Sequence, residues 1–257
     1  MTDPLVLHTR TGGRVDLVLN RADKFNALSE EMLATLRGEF QAIANDTSVR
    51  VVVLSGSGRA FCAGHDLAQM AGKRRLDYYR QLFGDCARVM EAIVALPVPV
   101  IARIHGVATA AGCQLVGACD LAIAADSARF AVSGINVGLF CSTPAVALSR
   151  NVSAKRAFEM LVTGQFINAA TALDWGLINQ SVPVEELDTA IDTLVHAISA
   201  KSPDAIRRGK ALFHAQREVP RAQAYAMAAE VMAQNMMDEN TAEGIEAFLE
   251  KRTPVWK

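Results

Sequence analysis

A chain of 257 residues, half of them apolar and about a fifth charged, has the material for a large compact core and not the composition of a disordered segment. Its formal charge of −1 supplies no long-range field to gather nucleic acid or an anionic membrane, and short basic runs such as Lys73-Arg74-Arg75 and Arg207-Arg208 read as solvated helix faces. Five cysteines (Cys62, Cys86, Cys113, Cys119 and Cys141), odd in number and without CxxC spacing, argue against a disulfide framework or a metal site and fit a reducing compartment. No basic start and apolar run like a signal peptide opens the chain, and no stretch has the length and apolarity of a membrane span. The expectation is a soluble, cytoplasmic or organelle-matrix protein.

The first elements predicted are two short strands, Leu5-Leu7 and Val15-Leu19, joined by the turn Thr11-Gly12-Gly13-Arg14. Ser29 reads as the N-cap of a helix whose apolar positions Met32, Leu33, Leu36, Phe40 and Ile43 recur at helical spacing. Val51-Val52-Val53-Leu54 reads as a buried strand ended by Ser55-Gly56-Ser57-Gly58. A helix over 77–96 follows, stopped by Pro97 and Pro99, then a strand over 98–104, a small-residue stretch entering a helix over 112–118, and a strand over 121–124. Strands that read as buried on both faces, alternating with helices up to about residue 150, point to an α/β core with parallel strands. From 154 to 247 the pattern is nearly all helical, with segments at 154–161, 169–175, 184–200, 203–213, 221–237 and 241–251. The Ala- and Met-rich stretch 224–237 is apolar on more than one side, a width that suits packing against another chain or domain. No internal repeat or low-complexity linker is visible, and the chain divides into a core over 1–195 and a helical region over 196–257.

Two glycine-containing turns each follow a buried strand and precede a helix. One runs from Gly56 to Leu67 through Ala63, Gly64, His65 and Asp66; the other runs from His105 to Leu115 through Ala111, Gly112 and Gln114. Small residues let a ligand approach main-chain N–H groups, and a helix start adds partial positive charge. Two such donors aimed at one point stabilise an oxyanion.

Asn20-Arg21-Ala22-Asp23-Lys24-Phe25-Asn26-Ala27-Leu28 resembles the Asn-Arg-Pro-x-x-x-Asn-Ala-Leu signature of the enoyl-CoA hydratase/isomerase (crotonase) superfamily. Ala60-Phe61-Cys62-Ala63-Gly64-His65-Asp66-Leu67 is similar to its Ala-Phe-x-Ala-Gly-Ala-Asp-Leu loop, and the segment from His105-Gly106 to Asp120 to its Asn-Gly-x-Ala-x-Gly-Gly-Gly-x-Glu-Leu…Cys-Asp run. Trp175-Gly176-Leu177-Ile178-Asn179 and Glu243-Gly244…Phe248-Leu249-Glu250-Lys251-Arg252 match C-terminal landmarks, so the resemblance runs in family order over residues 20–252. It implies a spiral of ββα units with a C-terminal trimerisation region, assembled as a homotrimer or dimer of trimers. It implies an acyl-CoA ligand, with coenzyme A arriving as part of the substrate and no further cofactor. The N–H groups of His65 and Ala111 are then expected to hold the thioester carbonyl, with Ala63, Asp66 and Leu67 beside it. Asp23, Lys24 and Phe25 are expected along the coenzyme, and Phe248 and Lys251 at its nucleotide end in a neighbouring subunit.

The resemblance fails at the acid/base pair. The two glutamates that move protons in a hydratase correspond to Gln114 and Gly134, neither of which transfers a proton near neutral pH. The sequence most resembles the hydratase-domain-containing branch that lacks both. Three readings stay open: another reaction of CoA thioesters through an enolate or tetrahedral oxyanion, a hydratase with relocated acid/base groups, or a non-catalytic acyl-CoA binder. His65 stands where alanine is usual; its ring is expected to face solvent or bond a neighbour, leaving only its N–H to function, though a titrating imidazole is also a candidate base. Asp66 reads as a loop-fixing residue. Cys141 reads as an inert thiol, Asn136 and Ser142 as further pocket candidates, and Tyr78 and Tyr79 as either packing or pocket lining. A dinucleotide fold prompted by Gly56-x-Gly58 fails because Phe61 takes the place of the third glycine.

Overall fold

In the computed structural model, which describes residues 3–257, the strands form two sheets and the chain passes repeatedly from one to the other. The N-terminal elements are β1 (Val6–Thr11), β2 (Arg14–Leu19), α1 (Glu30–Ala44), β3 (Val51–Gly56), β4 (Ala60–Cys62), α2 (Leu67–Gly72) and α3 (Leu76–Ala95). They are followed by β5 (Val100–Ile104), β6 (Val107–Thr109), α4 (Ala111–Ala118), β7 (Leu121–Ala125), β8 (Arg129–Ala131), α5 (Ser142–Asn151) and α6 (Ala154–Thr163). The chain ends with β9 (Ile167–Asn168), α7 (Ala169–Asp174), β10 (Gln180–Val182), α8 (Leu187–Ser199), α9 (Pro203–Gln216), α10 (Arg221–Met236) and α11 (Glu239–Glu250).

One sheet has the order β1-β2-β3-β5-β7-β10, antiparallel between β1 and β2 and parallel thereafter. The other has the order β4-β6-β8-β9, parallel except at its last pair. The pairs β3/β4, β5/β6 and β7/β8 each give one strand to each sheet before the chain turns into helix. This is the expected spiral of ββα units in an α/β fold. The unbroken apolar run of β3 has a reason here. Val52 and Leu54 join the main core while Val51 and Val53 turn outward to Leu187 and Ile191 of α8, so both faces are buried.

Local chemistry sets the helix starts. Ser29 caps α1 by accepting from the Met32 N–H at 3.2 Å. The expected strand over 98–104 begins only at Val100, after Pro99, which has no N–H to give a ladder. The section from 154 is less uniformly helical than its periodicity predicts, because β9 and β10 interrupt it. Both are two or three residues long, too short to carry an alternation. The same holds for β4, β6 and β8, which the sequence does not announce. The boundary drawn between residues 195 and 196 falls inside α8. Among the described residues, no helix is long and apolar enough to cross a membrane.

Candidate active site

Three loops meet at the C-terminal ends of β2, β4 and β6. The first, between β2 and α1, makes a single helical turn at Ala22–Lys24 and then places Phe25 and Asn26 in left-handed conformations, with φ of 51° and 57°. The wholly buried Asn26 holds it to the turn between β3 and β4. Its Nδ2 donates to the carbonyls of Ser57 and Ala60 at 2.9 and 2.8 Å, and its Oδ1 accepts from the Arg21 N–H at 2.9 Å. The sequence quoted this asparagine only as part of a signature; its bonds give the reason for it.

From this anchor the first loop continues as Leu28, which forms an isolated parallel bridge with His65. The Leu28 N–H donates to the Gly64 carbonyl at 2.8 Å, and the Asp66 N–H donates to the Leu28 carbonyl at 3.3 Å. In such a bridge the central residue on the second strand uses neither of its own groups, so the His65 N–H points away from Leu28. Ala111, the first residue of α4, has no intrahelical acceptor for its N–H. Among the described residues neither of these two N–H groups has a protein acceptor.

The second and third loops touch. A Cβ added to Gly64, whose φ is +89°, would lie 2.8 Å from Ala110 Cβ and 3.1 Å from Ala111 N. One added to Gly112 would fall 2.0 Å from the Cys62 carbonyl oxygen. Only glycine permits this approach at either position. Ala110 itself is held at φ 50° and ψ −120°, a conformation favouring glycine, at a cost of about 1–3 kcal/mol. The strain sits one residue before the free N–H of Ala111.

His65 and Ala111 share one cavity of about 230 Å³, together with Ala63, Leu67, Phe83, Gly134 and Cys141. Among the described residues, no aspartate or glutamate lines it. The His65 ring does not face solvent or bond a neighbour, as the sequence reading had it. Both ring nitrogens are buried without a hydrogen-bond partner among the described residues, and the ring stands edge-on to Phe83 with centroids 5.4 Å apart. Desolvation drives the imidazole from the ordinary 6.5 down to about 4, with the Leu28 main chain pulling the other way. It is therefore neutral at physiological pH.

The other expected site residues are dispersed. Gln114 is buried on α4 but opens into a separate cavity of about 960 Å³ between α3, α4, α5 and α9, with its Oε1 unpartnered. Gly134 does line the smaller cavity, but a Cβ there would lie 2.7 Å from both Cys141 Sγ and the Leu139 carbonyl oxygen. Asp66 is a fixing residue, as read. It caps α2 by accepting from the Ala68 and Gln69 N–H groups at 3.1 Å each and pairs with Arg21 at 2.8 Å; the Gln69 N–H first, and Arg21 after it, hold its carboxyl below the usual range. Asp23, Lys24 and Phe25 are exposed outside the cavity, with the Arg59 guanidinium over the Phe25 ring. Phe248 and Lys251 lie at the exposed end of α11 and do not line this cavity. Cys141 is buried and its thiol is pushed up by desolvation, which suits an inert role.

Tyr79 donates to the Met70 carbonyl at 3.0 Å and Tyr78 flanks a different groove, so neither lines the cavity. Asn136 turns instead toward the Gly164 carbonyl, whereas Ser142 does reach the cavity wall. Phe83 is the wall residue that the sequence reading missed. It lies on the stripe of α3 that includes Cys86 and Met90, so spacing alone marks it as core.

Residues 11–257 match the family described as enoyl-CoA hydratase/isomerase. The rat protein "Enoyl-CoA hydratase domain-containing protein 3, mitochondrial" is 43% identical over 99% of this chain and 85% of its own. The crystal structure of an enoyl-CoA hydratase from Mycobacterium smegmatis superposes with a TM-score of 0.98 at 58% identity, covering 99% of both chains. That of human enoyl Coenzyme A hydratase domain-containing protein 3 does so at 0.96 and 41%, over 98% of this chain and all of the other. With the spiral of ββα units in place and the match running from residue 11 to the last residue, the chain belongs to the enoyl-CoA hydratase/isomerase family.

Proposed function

We propose that the protein binds acyl-coenzyme A thioesters in the 230 Å³ cavity, with the carbonyl oxygen accepting from the N–H groups of His65 and Ala111. The observation that carries this is the Leu28–His65 bridge. It uses the flanking groups of Gly64 and Asp66 and leaves the His65 N–H free on the side away from Leu28, while the neighbouring loop supplies a second free donor at a helix start. Two fixed N–H dipoles in a mainly apolar wall favour the charge that develops on a thioester oxygen when an enolate or tetrahedral intermediate forms. Coenzyme A enters as part of the substrate. Its pantetheine leaves past Leu67 toward Phe25, and Phe248 and Lys251 of a neighbouring subunit close over its nucleotide. The buried thiols suit a reducing compartment, whether cytoplasm or an organelle matrix; the rat relative's name places that protein in the mitochondrion.

Hydration of an enoyl thioester also needs a group that gives and takes protons at the substrate. Among the described residues no carboxylate lines the cavity, the amide of Gln114 does not titrate near neutrality and Gly134 has no side chain, so ordinary hydration is slow here. A reaction that passes through the same oxyanion without a carboxylate at the acyl chain fits the cavity better than hydration does. Calorimetry with butanoyl-CoA tests the binding: a saturable heat is expected, and none at saturating ligand would end the proposal. Crotonyl-CoA, followed by loss of enone absorbance, should turn over far below the ordinary enzyme range of about 1–1000 per second. A rate inside that range would refute the reading of Gln114 and Gly134.

A further inference from the structure

We infer that the groove between α1 and α3 is a second ligand site, which binds a linear oligophosphate: a short chain of linked phosphate groups, free or on an organic carrier. This goes beyond the thioester reading and does not depend on it, because the groove shares no wall residue with the acyl cavity.

The groove has a volume of about 900 Å³, within the range of about 300–1,000 Å³ usual for small-ligand sites. The run Lys73-Arg74-Arg75, which the sequence presents as a solvated face, lines it from the connection between α2 and α3. Arg37 of α1 and Arg88 of α3 complete a set of five cations, against two carboxylates, Glu30 and Asp85. Asp77, outside the groove, pairs with Arg75 at 2.8 Å and offsets one more. A chain with a net charge of −1 thus gathers an uncompensated positive charge of two in one concave place. Such a concentration attracts anions locally even where the whole molecule has no field to do so.

The pairing shows where that charge sits. Glu30 holds Lys73 with both carboxylate oxygens at 3.0 Å. Asp85 serves two guanidiniums at once: Arg37 and Arg88 reach the same oxygen, Oδ1, at 3.3 and 2.8 Å, so one negative charge faces two positive ones brought in from both helices. Arg74 has no carboxylate partner among the described residues. The surplus therefore lies at two separate places, before the start of α3 and well along it. Leu76, which opens α3, and Arg88 are about 18 Å apart along the axis at ~1.5 Å per residue. A single phosphate group does not answer both places, whereas a chain of them does. Guanidinium forks suit phosphate oxygens, and ion pairs as exposed as those of Asp85 cost little to exchange for a ligand.

Calorimetry on the wild-type protein compares inorganic triphosphate with orthophosphate. Triphosphate is expected to bind saturably and roughly 10-fold or more tightly than orthophosphate, with an affinity that falls as salt is raised. Arg74→Gln and Arg88→Gln change exposed side chains at the two ends of the surplus. Each should weaken triphosphate roughly 10-fold and leave the heat with butanoyl-CoA unchanged. Absence of triphosphate binding, equal affinity for orthophosphate, or wild-type affinity in both variants would overturn the inference. So would loss of the triphosphate heat in saturating butanoyl-CoA, which would put the anion in the coenzyme's path instead. Adenosine triphosphate as a further probe separates the sources: tighter binding than inorganic triphosphate supports a nucleotide, and equal or weaker binding supports the bare chain.

Discussion

A neutral imidazole kept from solvent ties stability to pH. The unfolded chain takes up a proton at His65 near 6.5, whereas the folded protein does so only near 4. Between those values the unfolded state binds more protons, so this contribution is complete above about 6.5 and is lost as the pH falls toward 4. The difference of 2.5 units corresponds to about 3 kcal/mol. Denaturant unfolding of the wild type and His65→Asn from pH 7 to 4 should show the wild type losing about that much more stability. Parallel curves would mean that the ring titrates normally. This residue also shows the limit of reading side chains from sequence. That position 65 presents a main-chain donor was legible from the small residues around it. Whether its ring turns outward or inward depends on Phe83, eighteen positions away on another element. Gln114 has the same lesson in reverse: its position on a helix start was legible, but the cavity it opens into is walled by α3, α5 and α9.

Among the elements, α9 is fastened by an ion pair that its amphipathic pattern does not foretell. Lys210 is buried, and its Nζ donates to the carbonyls of Ile93 and Val98 at 2.9 Å each and to Asp120 at 2.6 Å; His214 adds a bond to the other carboxylate oxygen at 3.1 Å. Asp120 also accepts from the Val100 N–H at 2.7 Å, so one carboxylate joins β5, the turn before β7 and α9. Burial lowers the lysine's pKa while the carboxylate opposes that shift. Lys210→Met would leave the aspartate without its cation. The expected loss is about 3–5 kcal/mol in thermal or urea unfolding, and a change below 1 kcal/mol would show that the pair is dispensable. The long elements were legible in the sequence because α1, α3 and α10 span enough residues for a period to register. Strands of two or three residues contain no period, so the second sheet was invisible even though three of its strands repeat one topological unit. The repeat lies in the path of the chain and not in its letters.

At the scale of the whole molecule, α10 is the outlier. None of its residues is buried, and Tyr225, Met232 and Met236, spaced to share one side, are 73%, 69% and 57% exposed. Phe248 and Leu249 extend the apolar surface on α11. An apolar area of this kind on an end helix fits the trimer proposed from the resemblance, with α10 buried between subunits. Sedimentation equilibrium should return a three-chain mass or twice that, and Met232→Glu combined with Met236→Glu should shift it toward one chain. A wild-type protein with the mass of a single chain would refute the assembly.

The Leu28–His65 bridge has a consequence for how such a protein changes over time. Hydrogen-bond donors supplied by the peptide chain carry no genetic letter of their own, so substitutions at 65 and 111 can alter the neighbouring side chain while leaving the proposed grip on the oxygen in place. Selection is then free to try new chemistry one residue at a time on an unchanged handle. Alanine scanning of those positions would miss the handle; replacing single peptide linkages by esters would find it.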